Sequence, residues 1–193
     1  YPRVRDIRHS PLSPMKLADT PCYTLYIADI ERAPQGVRHR RREREEAAVS
    51  ALMREAFGHG TVRGHDSTGA PVAIVDGTPL RCRISLSHSA THAVLAVARA
   101  ASDIGVDIEE PRPSLSRVVE RILSPAERAD CDTQDSRLLA WTMKEALYKA
   151  SRRHFSFEPA FDTDLHLSGR AAGLDFNHAY ISVKDSIVAI VWR

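Results

Sequence analysis

The chain has 193 residues and a nearly balanced charge, 27 basic against 25 acidic side chains for a net charge of +2. This excludes a histone-like or generally polyanion-binding protein, in which Lys and Arg far outnumber Asp and Glu. With 43% hydrophobic and 27% charged residues, the chain is too apolar for a disordered one and long enough to bury a core. The basic set is lopsided: 23 are Arg and only 4 are Lys, at Lys16, Lys144, Lys149 and Lys184.

The longest apolar stretch, Ala93 to Ala101, is broken by Arg99 and is far shorter than the roughly 20 residues of a membrane helix, so no membrane span is expected. The chain opens Tyr1-Pro2-Arg3 without an initiator Met or an apolar signal core, which reads as a truncated or processed start of a cytoplasmic protein. Three cysteines, Cys22, Cys82 and Cys131, are odd in number and lack paired metal-ligand spacing, as expected of reduced thiols. A monomer is expected.

In chain order, residues 1–20 are Pro- and Arg-rich without periodicity and read as a flexible arm, with structure beginning near Cys22. Cys22 to Ala28 is aromatic and β-branched, a strand. Val37 to Phe57 lacks Gly and Pro and places Ala48, Leu52 and Ala56 at helical spacing, a long helix ended by Gly58. A Gly-rich polar stretch leads to a short strand, Val72 to Val75, closed by the Asp76-Gly77 turn signal.

Ile84 to Ser89 precedes a buried central strand, His92 to Ala98. Asp103 to Glu109 is a further strand, stopped by Pro111 and Pro113. Leu115 to Leu123 reads as helical. Ser124-Pro125-Ala126-Glu127 has an N-cap, a Pro at the first helical position and an acidic third position, a helix start. Asp135 to Ala150 is a helix with Leu138, Trp141, Glu145 and Tyr148 at three- or four-residue steps. Strands at Asp164 to Leu167, Ala179 to Val183 and Ser186 to Trp192 finish the chain. The fold class is α+β: two similar halves, 21–100 and 101–193, each a small, mainly antiparallel sheet packed by a long helix.

Three segments could carry chemistry. The period of two in a strand aims Asp107 and Glu109 at one face and Val106 and Ile108 at the other. Two carboxylates on one face repel unless a cation, a basic group or water separates them, and a hard divalent cation takes oxygen ligands of this kind; a solvated strand face carries the same pattern. The helix segment Trp141 to Lys149 adds Glu145, with half of the chain's lysines around it. Glu145 and Lys149 are spaced as an ordinary exposed i,i+4 pair, but compact ammonium groups also suit phosphate oxygens as point charges. Ser85-Leu86-Ser87-His88-Ser89 sets a His among hydroxyls, able to bind a phosphate or to occupy a turn. No Gly-x-Ser-x-Gly elbow surrounds these serines, against a hydrolase.

Together, Leu86-Ser87-His88-Ser89, Ile104 to Glu109 and Trp141-Thr142-Met143-Lys144-Glu145-Ala146-Leu147-Tyr148-Lys149 resemble the 4'-phosphopantetheinyl transferases, in particular the longer pseudo-dimeric kind that modifies carrier proteins. The resemblance is clear over residues 84–160 and loose over the first 80. It implies transfer of the phosphopantetheine arm from coenzyme A to a serine of an acyl, peptidyl or aryl carrier protein, releasing adenosine 3',5'-bisphosphate.

It further implies that Asp107, Glu109 and Glu145 ligand Mg²⁺, that Glu145 and Lys149 are catalytic, and that Ser87, His88, Lys144 and Lys149 contact coenzyme A. Arg44 and Arg54 are the expected first-half contacts to its 3'-phosphate. Leu115, Val118 and Arg121 are the expected carrier-protein surface, mixing apolar and basic groups; apolar members facing the core would be the plainer arrangement. The family's Gly-Lys-Pro is replaced by Gly69-Ala70-Pro71, and Ala70 supplies no charge. The competing readings are a non-catalytic carrier-protein- or nucleotide-binding module of the same fold, and an Arg-rich nucleic-acid binder. The second is discouraged by Glu43, Glu45 and Glu46 among the arginines.

Overall fold

A computed structural model of the chain describes residues 13–31, 41–113, 115–151 and 176–193. They form an α+β protein that divides into two compact units between Ser102 and Asp103. The start of the helix expected from Val37, the strand expected at Asp164 to Leu167 and the first part of the expected N-terminal arm lie outside the described residues.

The first unit is built on a four-stranded antiparallel sheet of β1 (Met15–Asp19), β2 (Tyr23–Asp29), β7 (His92–Ala98) and β6 (Ile84–His88), in the order β1-β2-β7-β6. β7 is central because it pairs on both sides, Tyr26 with Leu95 and Leu86 with Leu95, and its sequence, apolar after His92, tolerates burial on both faces. Helix α1 (Arg41–Phe57) lays Ala48, Val49, Leu52 and Met53 on Ala93, Leu95, Ile84 and Ala28. A small second sheet, β3 (Thr61–His65), β4 (Pro71–Val75) and β5 (Thr78–Pro79), completes the unit. Asp76 and Gly77 both have positive φ, 49° and 78°, so the Asp-Gly pair makes the two-residue hairpin expected of it.

Two expectations are corrected here. Among the described residues the first strand starts at Met15 rather than near Cys22, because β1 pairs with β2 and is tied down by Asp19, which takes Lys16 Nζ at 2.9 Å and Thr24 Oγ1 at 3.0 Å. The Gly-rich stretch is not all loop: Thr61–His65 is a strand paired with β4. Its apolar alternation is missing because Val62 is 57% exposed, and Gly64 fits there because a β-carbon would collide with Ile74.

In the second unit, β8 (Ile104–Glu109), β10 (Ser186–Trp192) and β9 (Asn177–Val183) form an antiparallel sheet in the order β8-β10-β9. Helices α2 (Leu115–Ile122), α3 (Pro125–Asp130) and α4 (Gln134–Ser151) lie between β8 and β9 in sequence. The α3 start is a capping box: Ser124 Oγ accepts from Glu127 N at 3.2 Å, and Glu127 Oε2 accepts from Ser124 N at 2.8 Å. The unit closes on itself where Arg193 Nη2 donates to Asp103 Oδ2 at 2.7 Å.

The register puts Gly105 opposite Val191 and Asp107 opposite Ala189. This is the face covered by α4, through Met143, Ala146, Leu147 and Ala150 against Ala189 and Val191. Small residues bring helix and sheet close together; a β-carbon on Gly105 would overlap the Ala146 carbonyl oxygen and crowd the Ala150 nitrogen. By the period of two, Gly105, Asp107 and Glu109 share that face, so the two carboxylates project toward α4 rather than into solvent.

Candidate active site

The acidic strand meets one stripe of α4. Trp141, Glu145 and Lys149 are spaced four apart and therefore lie one above another on a helix. At one end of the stripe Lys149 Nζ reaches Asp107 Oδ1 at 2.7 Å and the Val106 carbonyl oxygen at 3.1 Å. At the other end Trp141 Nε1 donates to Glu109 Oε1 at 2.8 Å. Arg112, from the loop after β8, donates to the same Glu109 oxygen at 3.2 Å. Glu145 sits between the two anchored ends.

Three carboxylates against the Lys149 ammonium and the Arg112 guanidinium leave this patch with one more acidic than basic group. Burial pushes the Glu145 carboxyl up to about 7, with the charges of Asp107 and Glu109 adding to the rise and Lys149 and Arg112 opposing it. Glu109 is also raised, by burial first, with the Trp141 hydrogen bond working against the shift. A carboxyl held near neutrality is a usable general base or acid at physiological pH.

Hard oxygen donors that repel one another suit a divalent cation such as Mg²⁺ or Mn²⁺. Chemically the set fits, yet among the described residues no three such groups stand at coordination spacing. The acidic groups are neighbours, close enough for their charges to interact, and not a finished cage. Loading an ion would require Glu145 and Glu109 to close on Asp107, whose Oδ1 is engaged by Lys149.

Lys144, one position before Glu145, has a different fate. Its Nζ is 2.7 Å from Glu127 Oε2 and donates to the Ile122 carbonyl oxygen at 2.8 Å. The two side chains are only 3% and 5% exposed. The expectation that Lys144 contacts coenzyme A is corrected by this burial: the ammonium is committed to Glu127 and has no surface for a phosphate to approach. Glu127 thus caps α3 and ties it to α4 with the same oxygen.

Of the expected carrier-protein surface, Val118 and Arg121 are exposed. Leu115 is not: it is buried with Val119, Leu123, Cys131, Leu138 and Ala140, so it belongs to the packing of α2 and cannot meet a partner. Beside the Arg112 loop, Pro111, Arg112, Pro113, Gln134 and Arg137 line an open cavity of about 320 Å³.

The first unit holds the remaining expected residues. Ser87 is half-buried and His88 exposed at the end of β6, a strand end rather than a turn, with His88 Nδ1 3.8 Å from Glu45 Oε1. Arg44 Nη1 donates to the Glu31 carbonyl oxygen at 2.6 Å. Arg54 is exposed in the last turn of α1. Ala70 ends a turn gathered by Asp66 Oδ1, which accepts from Thr68 N, Thr68 Oγ1 and Ala70 N.

The sequence motifs do not single out Trp141, Arg112 or Gly105 as parts of the site. The signal for Trp141 was present: the four-residue step that relates Glu145 to Lys149 also relates Trp141 to Glu145. Nothing in the sequence points to Arg112 as a partner of Glu109 beyond their separation of three.

Residues 103–189 match the family model of the 4'-phosphopantetheinyl transferase superfamily. A search of the curated proteins finds no match to the chain. No helix among the described residues is long and apolar enough to cross a membrane.

Proposed function

Since residues 103–189 match the family model of the 4'-phosphopantetheinyl transferase superfamily, we propose that the protein transfers the 4'-phosphopantetheine arm of coenzyme A to a serine hydroxyl of a carrier protein, acyl, peptidyl or aryl, as a holo-carrier-protein synthase dependent on Mg²⁺. The observation that supports this most is the convergence of Asp107 and Glu109 from β8 with Glu145 and Lys149 from α4.

Asp107, Glu109 and Glu145 are the residues that would hold Mg²⁺. When bound, the ion would neutralise charge on the coenzyme A pyrophosphate. Glu145, with its carboxyl near neutrality, accepts the proton of the attacking serine. The serine oxygen bonds to the phosphorus that carries the pantetheine arm, and the bond to the second phosphate breaks. Adenosine 3',5'-bisphosphate leaves with that electron pair. Lys149 stabilises the charge on the phosphoryl oxygens, the main form of protein assistance in phosphoryl transfer; to do so its ammonium, now on Asp107 Oδ1, turns toward the substrate. Ser87, His88, Arg44 and Arg54 are the proposed contacts to the nucleotide part, with Ala70 leaving one expected contact unfilled. Val118 and Arg121 remain the proposed carrier-protein surface, in a cytoplasmic, monomeric enzyme.

Incubation of the full chain with an apo carrier protein, coenzyme A and Mg²⁺, followed by intact mass measurement of the carrier, tests this reading. The expected result is addition of one arm to one serine. Tight coenzyme A binding with an unmodified carrier would favour a non-catalytic binding module of the same fold; neither binding nor transfer would remove the coenzyme A reading altogether.

A further inference from the structure

Asp107 and Glu109 stand on one face of one strand, but they are held by different chemistry. Asp107 faces an ammonium. Glu109 receives two donors on a single oxygen, Oε1: the indole N–H of Trp141 at 2.8 Å and the Arg112 guanidinium at 3.2 Å. A glutamate has three side-chain torsions and, beside two other carboxylates, an electrostatic reason to swing its charge away from them. An indole N–H is a donor only. It can fix the carboxylate without neutralising it, which a lysine in the same place could not do.

We infer that Trp141 is a positioning residue: its N–H pins Oε1 of Glu109 so that the carboxylate is held beside Glu145, with its negative charge retained for a divalent cation. Arg112 is the weaker, more exposed second anchor on the same oxygen. The geometry supports the assignment, because Trp141 lies one helical turn before Glu145 on the same stripe, so α4 carries a cation-facing carboxylate and the anchor of its neighbour together. Partners that orient a ligand from behind commonly change metal affinity by about 10–100-fold when removed. The inference rests on the acidic-site reading above.

The test is Mn²⁺ affinity of the full chain, read from the electron paramagnetic resonance of free Mn²⁺ with neither coenzyme A nor carrier protein present. Trp141→Phe keeps a ring in the same packing and removes the N–H. The expected result is an affinity about 10-fold weaker or more, with no further loss when Trp141→Phe is added to Glu109→Ala. A purely structural role would give the same loss in both backgrounds, which overturns the inference, as does an affinity for Trp141→Phe within about twofold of the parent chain. Should Trp141→Phe fold poorly, the Trp192→Phe protein leaves Trp141 as its single tryptophan. Its emission is expected to change on Mn²⁺ titration with the midpoint of binding, and unchanged emission overturns the assignment. If the parent chain binds no Mn²⁺, the acidic-site reading falls and takes the inference with it. If it binds Mn²⁺ through Glu109 but ignores Trp141→Phe, only the inference falls.

Discussion

Helix α4 contributes the lysines of two lysine–carboxylate pairs, with Glu127 of α3 and Asp107 of β8, that differ in what they can do. Lys144 and Glu127 are almost fully buried, with their hydrogen bonds used locally by Ile122 and Ser124. Lys149 and Asp107 are bonded at the same 2.7 Å, but Lys149 is 28% exposed and the pair sits among two further carboxylates. The first pair is closed: each group has what it needs within the protein. The second is open, with three carboxylates against Lys149 and Arg112, and only an open pair has something to offer a cation or a phosphate.

Breaking the open site should show in chemistry before it shows in stability. Glu145→Gln is expected to lower carrier-protein modification by about 10²–10⁴-fold, the range for loss of a positioned general base. It should leave the metal-free protein as stable as before or more so, since a buried group repelled by Asp107 and Glu109 becomes neutral. Mass measurement of the carrier and urea unfolding check the two halves of this prediction. Breaking the closed pair should do the reverse. Lys144→Met alone strands Glu127 and is expected to cost about 3–5 kcal/mol, measured by urea unfolding, whereas adding Glu127→Gln should recover much of the loss.

Gly105→Ala sharpens the comparison from the backbone side. A β-carbon there displaces α4 from the sheet, with an expected cost of about 1–3 kcal/mol, and moves Glu145 and Lys149 away from Asp107. Stability and transfer should fall together, and an unfolding curve like that of the parent chain would contradict the close packing described here.

The last effect is one of pH. Glu145 is raised from an ordinary 4.5 to about 7, so the folded state keeps its proton to higher pH than the unfolded state. Its contribution to stability is therefore complete below about pH 4.5 and is lost as the pH rises through about 7. Urea unfolding of the metal-free protein at a series of pH values should show that decline, and Glu145→Gln should flatten it.

Much of the acidic site was legible from residue spacing. Asp107 and Glu109 two apart on a strand, and Glu145 and Lys149 four apart on a helix, define their faces by geometry alone. What spacing does not contain is which face meets which. The joining of β8 to α4 depends on Gly105, Ala146, Ala150 and Ala189, whose smallness is a packing property rather than a motif. The same limit explains Lys144. Its neighbours in sequence suggested phosphate contact, but its partner Glu127 lies 17 positions earlier and looked complete as the third residue of a capping box. Leu115 stood beside arginines and read as surface until α2 folded it inward. Strands β1 and β3 were obscured because both are edge strands, β1 only half-buried and β3 mostly exposed, and their pairing, not their apolar content, makes them strands.

The division of labour on α4 is tested most directly by the rate of carrier-protein modification per folded molecule in two variants, Lys149→Met and the double variant Lys144→Met with Glu127→Gln. Lys149→Met is expected to lose transfer by about 10²-fold or more, while the double variant stays within a few-fold of the parent chain. Equal losses in the two, or a loss confined to the double variant, would contradict the assignment of one pair to the fold and the other to the chemistry.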